Sequence, residues 1–337
     1  MKNLPHPIQY QGSKRNLAPI ILRYFPKGVN RLVEPFSGSA AISIAAAAKG
    51  LAKMFWINDL NNALTELLEL VAEKPEELSD FYEQLWNQQH PDSIDHFYRV
   101  RDEFNRTRDP RLFLYLLARC VKGSVRYNSE GLLNQSPDKR RLGTRPETMR
   151  KSIMGVACLL RGKAEFTSLD YRDVFKRVEQ NDLIYMDPPY QGVCGNRDAR
   201  YYSGISHEGF VEALQELTAR NLLFIISYDG RRGDKTFGEF LPESLGLTRI
   251  EIEAGRSSQS TLLGLDEVTF ESLYLSSALT EKLSFKPINY HKPSQQQYSL
   301  SATPFDPAPF PFQFLLEECY TVHGFIAFLC VVFTPMV

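Results

Sequence analysis

The stretch NDLIYMDPPYQG, residues 181–192, decides the fold. Leu183, Ile184, Tyr185 and Met186 make a short continuous apolar run, the pattern of a buried strand. Proline donates no ladder hydrogen bond, so Pro188 either ends that strand or sits at a sheet edge. A proline also drives the residue before it into an extended conformation, which holds Asp187 and Pro188 extended. The product is a stiff tetrapeptide, Asp187 to Tyr190, just past a strand's carboxyl end. In open α/β sheets, ligands bind at that end. A plain Pro-rich turn capped by an acid has the same composition, so the stretch is read with its surroundings.

Upstream, RLVEPF (31–36) reads as a first strand. SGSAAISIAAAAKG follows as a small-residue turn and an Ala-rich helix, with Gly50 as its stop. KMFWIND (53–59) is a second strand ending in an acid, and NALTELLELVAE (62–73) has helical apolar spacing. Strand, helix, strand in this order predicts a right-handed βαβ unit with parallel strands. Residues 75–160 are helical, charged and Arg-rich, and they contain the loop KGSVRYNSEGLLNQSPDKRRLG (122–143). TRPE (144–147) offers Thr144 and Glu147 as a capping box for the next helix. Strand patterning then resumes in AEFTSLDY (164–171), DLIYMD (182–187), LLFIISYD (222–229), LTRIEIEAG (247–255) and TFESLYLS (269–276), the last two as a hairpin closing the sheet. SHEGFVEALQELTARN (206–221) is an amphipathic helix opened by Ser206. KPSQQQYSLSATPFDPAPFPF (292–312) reads as linker or disorder. The apolar stretch GFIAFLCVVFTPMV (324–337) is shorter than the ~20 residues that span a bilayer.

The 337 residues are long enough for more than one domain, and 43% hydrophobic with 23% charged residues is ordinary for a globular protein. A net charge of -1 does not announce a polyanionic partner, but its distribution does. Residues 99–151 carry 14 Lys and Arg against 6 Asp and Glu, which leaves the rest of the chain acidic. Such asymmetry points to a nucleic-acid-facing region, with a solvated helical face as the alternative. The five cysteines are odd in number and show no CxxC spacing, which argues for a reducing compartment and against a disulfide framework or a zinc site. The amino terminus MKNLPHPIQY lacks the apolar core of a signal peptide, so the expected location is cytoplasmic.

Three further stretches carry candidate chemistry. In EPFSGSA (34–40), Gly38 between two serines permits close backbone approach at a helix start, but a single glycine is not a dinucleotide fingerprint. Asp59 ends the second strand, where a carboxylate can accept from both hydroxyls of a ribose; capping the helix at 62 is the competing role. In QYQGSKRNL (9–17), Tyr10 can cover a ligand face and Lys14 can reach a carboxylate or a carbonyl, or the segment is a surface turn. An amino nitrogen conjugated to a ring is a poor nucleophile, and acceptors for its N–H groups help it. Asp187 offers a carboxylate and Pro188 a carbonyl, while Tyr190 offers a flat face on which a base stacks for ~1–3 kcal/mol.

Taken together, these segments resemble the Dam-type DNA adenine-N6 methyltransferases, which use S-adenosylmethionine. QYQGSK, VEPFSGSA, the acid of IND, a recognition insert and DPPY occur in the family's order, and RYNSEGLLN (126–134) resembles part of its DNA-recognition region. The resemblance covers roughly residues 6–280. It implies an α/β fold: a Rossmann-like methyltransferase sheet with helices on both faces, interrupted by a mainly helical DNA-recognition insert. Residues 1–62 and 160–280 would form the catalytic domain, 63–159 the insert, and 281–337 a linker and tail. Tyr10, Lys14, Phe36, the Gly38 backbone and Asp59 would line the S-adenosylmethionine pocket, with Asp170 or Tyr171 near the cofactor's adenine. Asp187 would touch both cofactor and target amine. Pro188 would accept from the amine, and Tyr190 would stack on an adenine flipped out of duplex DNA. Arg126, Lys139, Arg140, Arg141 and Arg145 would contact DNA, and no metal is implied. A cognate restriction endonuclease acting separately is the further partner that a modification enzyme would have; no membrane is involved. The segment NQSPDKRRLG (134–143) is longer and more basic than the family's, which leaves the recognised sequence open. The other readings are a cytosine-N4 methyltransferase, against which Asp187 argues, a catalytically silent DNA-binding relative, and a nucleotide-dependent oxidoreductase, against which the missing GxGxxG argues.

Overall fold

The computed structural model describes residues 4–123, 125–189, 205–232, 235–256 and 268–284, with the side chains of 122, 232, 235–237, 255, 256 and 268 left aside. A short helix α1 (Ala18–Ile21) precedes β1 (Val29–Glu34), α2 (Ala41–Ala48), β2 (Ala52–Asn58) and α3 (Asn62–Glu73). Four helices follow: α4 (Pro75–Gln88), α5 (Ser93–Thr107), α6 (Pro110–Arg119) and α7 (Pro146–Leu160). The chain then forms β3 (Ala164–Thr167), α8 (Tyr171–Arg177), β4 (Asp182–Met186), α9 (His207–Ala219), β5 (Leu223–Arg232) and β6 (Lys235–Phe237). It continues with β7 (Thr248–Arg256), β8 (Val268–Leu275) and a last helix α10 (Ser277–Lys282).

The strands lie in the order β3-β2-β1-β4-β5-β8-β7, with β6 paired to β5. The first five are parallel; β8 runs antiparallel to β5 and β7 antiparallel to β8. The α/β sheet expected from the strand–helix–strand pattern is therefore present, and β7 and β8 do form its closing hairpin. The centre is covered on both faces, and strand alternation shows it. Leu183 and Tyr185 of β4 enter one apolar cluster, while Ile184 and Met186 enter the other. One face is covered by α1 to α7, the other by α8 and α9. The insert helices share the first cluster with the sheet rather than forming a core of their own.

Local chemistry places the helix starts. Asp92 accepts from the amides of Ile94 and Asp95 at α5, Asp109 from Arg111 at α6, and Ser206 from Gly209 at α9. Helix α2 begins with no such side chain, because Ala40 stands at its cap. Its cap comes from the preceding strand instead: the Glu34 carboxylate accepts from the Ser43 amide at 2.5 Å.

Several boundaries differ from expectation. The first strand ends at Glu34 rather than Phe36, because Pro35 cannot extend the ladder. The strand expected over 164–171 stops at Thr167, and Asp170 caps α8. The capping box at Thr144 does not form. Arg145 occupies the cap of α7 without a side-chain bond, and the Thr144 carbonyl accepts from the Tyr82 hydroxyl. The segment expected as a loop contains a tight hairpin. Tyr127 bridges Leu133, and the Asn128 side chain accepts from the amides of Glu130 and Leu132. The tail expected beyond 281 lies, after Ser284, outside the described residues.

Candidate active site

The direction of strand order reverses between β1 and β4, because β2 and β3 follow on one side and β5 on the other. Ligands of open α/β sheets bind outside the carboxyl ends at such a point. A cleft of about 370 Å³ lies there, lined by Tyr10, Lys14, Glu34, Phe36, Gly38, Asp59, Asp170, Tyr171, Asp187 and Pro188 among others. The structure thus brings the first-strand turn, the acid after the second strand, the QYQGSK segment and the DPP end of the tetrapeptide to one cavity. Tyr190 lies outside the described residues.

The wall begins at the end of β1. Gly38 has φ +49, and a Cβ there would meet the Tyr10 ring at 3.6 Å. Glycine therefore lets the turn take a left-handed shape directly beneath the aromatic ring. The Gly38 amide donates to Asp59 Oδ2 at 3.0 Å, and the Asn61 amide donates to Oδ1 at 3.0 Å. Asp59 therefore does not cap α3, where Asn61 holds the cap position; it ties the two cleft turns together. Burial raises its pKa against the pull of these two amides. Ser39 Oγ donates to Ser13 Oγ at 2.9 Å and fastens QYQGSK to the turn. Phe36 packs on Tyr171, ring centroids 5.4 Å apart, as an apolar floor.

Lys14 is 6% exposed, and its ammonium sits 3.1 Å from Asp187 Oδ1 and 3.1 Å from Glu271 Oε2. Burial pushes the Asp187 pKa up to about 6; Lys14 opposes the rise and Glu271 adds to it. Burial likewise pushes Glu34 up to about 8, despite its bonds to Ser43.

Four contributors were not singled out in the sequence. Glu34 stands in the quoted VEPFSGSA, and an acid ending a strand before a small-residue turn was the available signal. Asn58, fully buried, donates to the carbonyls of Pro35 and Leu169 and accepts from Thr167 and the Leu169 amide. It thereby joins three loops under the cleft. Asn61 donates to the Tyr127 hydroxyl at 2.8 Å, so the hairpin of the insert reaches the cleft wall. Glu271 comes from β8, and nothing near it in sequence marks it.

Arg126, Lys139, Arg140, Arg141 and Arg145 are all exposed on the insert, and none of them lines the cleft. Other basic residues of the insert are engaged: Arg106 with Glu103, Arg111 with Asp109, Arg150 with Asp80 and Glu83. No carboxylate lies within ion-pair distance of the first five among the described residues. No three acidic, His or Cys side chains group to hold a metal, and no helix is long and apolar enough to cross a membrane, again among the described residues.

A mostly parallel sheet of this order, with an acid-lined cleft at its reversal point, defines a Rossmann-like α/β protein. The chain belongs to the D12 class N6 adenine-specific DNA methyltransferase family, whose model matches residues 10–256. It is similar to the DNA N-6-adenine-methyltransferase of Escherichia phage P1, at 26% identity over 201 residues, 58% of this chain and 25% of that protein. It is also similar to modification methylase StsI of Streptococcus sanguinis, at 29% over 211 residues, 58% of this chain and 30% of that one. The DNA adenine methylase of Serratia marcescens is 28% identical over 187 residues, 54% of this chain and 66% of its own. The match thus spans a quarter to a third of the first two relatives' length.

Proposed function

We propose that the protein transfers a methyl group from S-adenosylmethionine to the N6 amine of adenine in duplex DNA. The observation that carries this reading is the position of Asp187: at the end of β4, on the cleft wall, in contact with Lys14.

The cleft suits the donor. Glu34, Asp59, Asp170 and Asp187 supply carboxylates to a wall that would face a cation and a ribose diol. Ser37 Oγ on that wall is buried without a hydrogen-bond partner among the described residues, a polar group left for a ligand to satisfy. Tyr10, Lys14, Phe36, the Gly38 turn and Asp59 would hold the donor. When bound, it supplies a methyl group on a positive sulfur.

The residues of the chain then work by positioning and electrostatics. The Asp187 carboxylate and the Pro188 carbonyl accept the two N–H bonds of the amine and aim its lone pair into the cleft. Lys14 favours the charged form of Asp187, which is the accepting form. Tyr190 would stack on the base. An amine inside a duplex is paired, so the base is extruded at a cost of a few kcal/mol, offset by stacking and phosphate contacts. The unpaired basic residues of the insert are the candidates for those contacts. As a modification enzyme it would act beside a separate endonuclease, in the cytoplasm.

The test is incubation with methyl-labelled S-adenosylmethionine and unmethylated duplex, followed by digestion to nucleosides. Label in N6-methyl-2′-deoxyadenosine is the expected result. Label in N4-methylcytosine, or none, overturns the reading.

A further inference from the structure

Arg119 ends α6 and is 1% exposed, the largest fully buried side chain among the described residues. A buried cation is expensive, and its usual partner is a carboxylate. Among the described residues Arg119 has none within ion-pair distance. Its terminal nitrogens are spent on main-chain carbonyls: Nη1 donates to Asp138 at 3.2 Å and to Arg141, and Nη2 to Ser93 at 3.3 Å, while Nε has no partner among the described residues. The negative end of α6 adds a favourable field at the same place.

The segment that carries Lys139, Arg140 and Arg141 is wrapped around this side chain. The Arg119 carbonyl accepts from the Asp138 amide at 2.7 Å, and Cys120 bridges Pro137. The Asp138 carboxylate accepts from the Arg140 amide at 2.8 Å and closes the turn. Gly143, at φ +87, passes so near that a Cβ would sit 3.2 Å from the Ala118 carbonyl and 3.3 Å from Arg119 Cδ. A guanidinium presents five donors in a fixed planar fork, whereas an ammonium has three on a rotating point charge and an apolar side chain has none. Without the fork these carbonyls lose their partner, so the side chain sets the shape of the loop as well as its stability.

We propose that Arg119 is the positioning residue that gives the 138–141 segment its shape, and so sets which DNA sequence is methylated without touching DNA. The proposal rests on the reading that this segment faces DNA.

The experiment uses the full chain, S-adenosylmethionine and a random-sequence duplex library, with methylated adenines mapped by sequencing. Arg119→Lys keeps the charge and loses the fork; Arg119→Met keeps the stem and loses both. For each, the ratio of methylation at the preferred site to its single-base variants should fall roughly tenfold or more, the scale of one lost base contact. Cofactor binding and kcat at saturating DNA should stay within about twofold. Arg119→Lys should also keep the slope of DNA binding against salt, because every exposed cation is retained. A generally damaged protein would instead lose cofactor affinity and kcat together. Should both Arg119 variants fail to fold, Gly143→Ala disturbs the same wrapping from the other side and is expected to relax selectivity alike. Discrimination within twofold of wild type in the folded variants overturns the proposal. A Lys139→Ala, Arg140→Ala double variant separates the two levels. If that variant binds DNA as wild type does, the DNA-facing reading fails and takes the proposal with it. If it loses DNA binding while the Arg119 variants keep their selectivity, only the role of Arg119 fails.

Discussion

Asp187 concentrates the chemistry at the scale of single residues. In the proposed reaction its ionised carboxylate accepts from the amine, and burial pushes its pKa up to about 6. Methyl transfer at saturating substrates should therefore fall about tenfold per pH unit below 6 and level off above 7. A pH–rate profile checks this, and a profile flat to pH 5 would remove the carboxylate from the reaction. Asp187→Ala should abolish transfer while gel-shift binding to DNA persists. Glu34 titrates with the opposite consequence for the fold. Burial pushes its pKa from the ordinary 4.5 up to about 8, so the fold favours the protonated form. That stabilisation is complete below about 4.5 and is lost as pH rises through about 8. Stability of the wild type, read from thermal melts, should thus fall by up to ~1.4 kcal/mol per pH unit between about 4.5 and 8 and level off above 8, and Glu34→Gln, which keeps the acceptor for Ser43, should not show that loss. Asp59→Ala should raise the cofactor KM more than it lowers kcat, because the two turns that Asp59 joins form the cofactor wall. A lower kcat with an unchanged KM would mean that the turns serve the transition state specifically.

Among the elements, the hairpin of the insert is held from outside. Asn105 of α5 donates to the Leu133 carbonyl at 3.0 Å and accepts from its amide at 2.7 Å, while Arg108 donates to the Gly131 carbonyl. Asn105→Ala should leave the sheet intact and cost the hairpin ~1–3 kcal/mol through its unpaired backbone groups. Hydrogen exchange at the Leu133 amide should accelerate accordingly; unchanged protection would show that the hairpin supports itself. The same elements show what the sequence could reveal. β4 was legible because a strand buried on both faces is apolar throughout and prolines mark its end. The order of β1, α2, β2 and α3 was legible from period and punctuation. The hairpin was not, because its closing partners, Asn105 and Arg108, lie in a helix more than twenty positions away. The capping of α2 was hidden for a similar reason, since Glu34 reaches it from a strand. Asn58 and Glu271 are further cases: Asn58 donates to a carbonyl 111 positions on, and the partner of Glu271 is near the amino terminus. Spacing rules see neighbours within a turn or a ladder and are blind to such pairs.

Over the whole molecule, charge is sorted by function. On the insert helices Arg106, Arg111 and Arg150 are paired with acids, whereas among the described residues Arg126, Lys139, Arg140, Arg141 and Arg145 have no such partner. Each of these that meets a phosphate should contribute about 0.9 to the slope of log affinity against log salt. Alanine at Lys139 or Arg140 should lower the measured slope by about that amount, while alanine at Arg106 should leave it unchanged. Equal slopes for all three would place the DNA elsewhere. The insert and the sheet share one apolar cluster, so removal of α4 to α6 should not yield a folded catalytic core; soluble, two-state melting of that deletion would contradict the shared packing.

The position of β8 has a consequence for synthesis. This strand is made after β7 yet lies between β5 and β7, and it brings Glu271 to Lys14. During elongation β7 is made before β8, the strand it pairs with among the described residues. Until residue 271 has left the ribosome, the ammonium of Lys14 answers to Asp187 without its second acid. The candidate cleft thus joins an ammonium from before β1 to an acid from a strand of the closing hairpin.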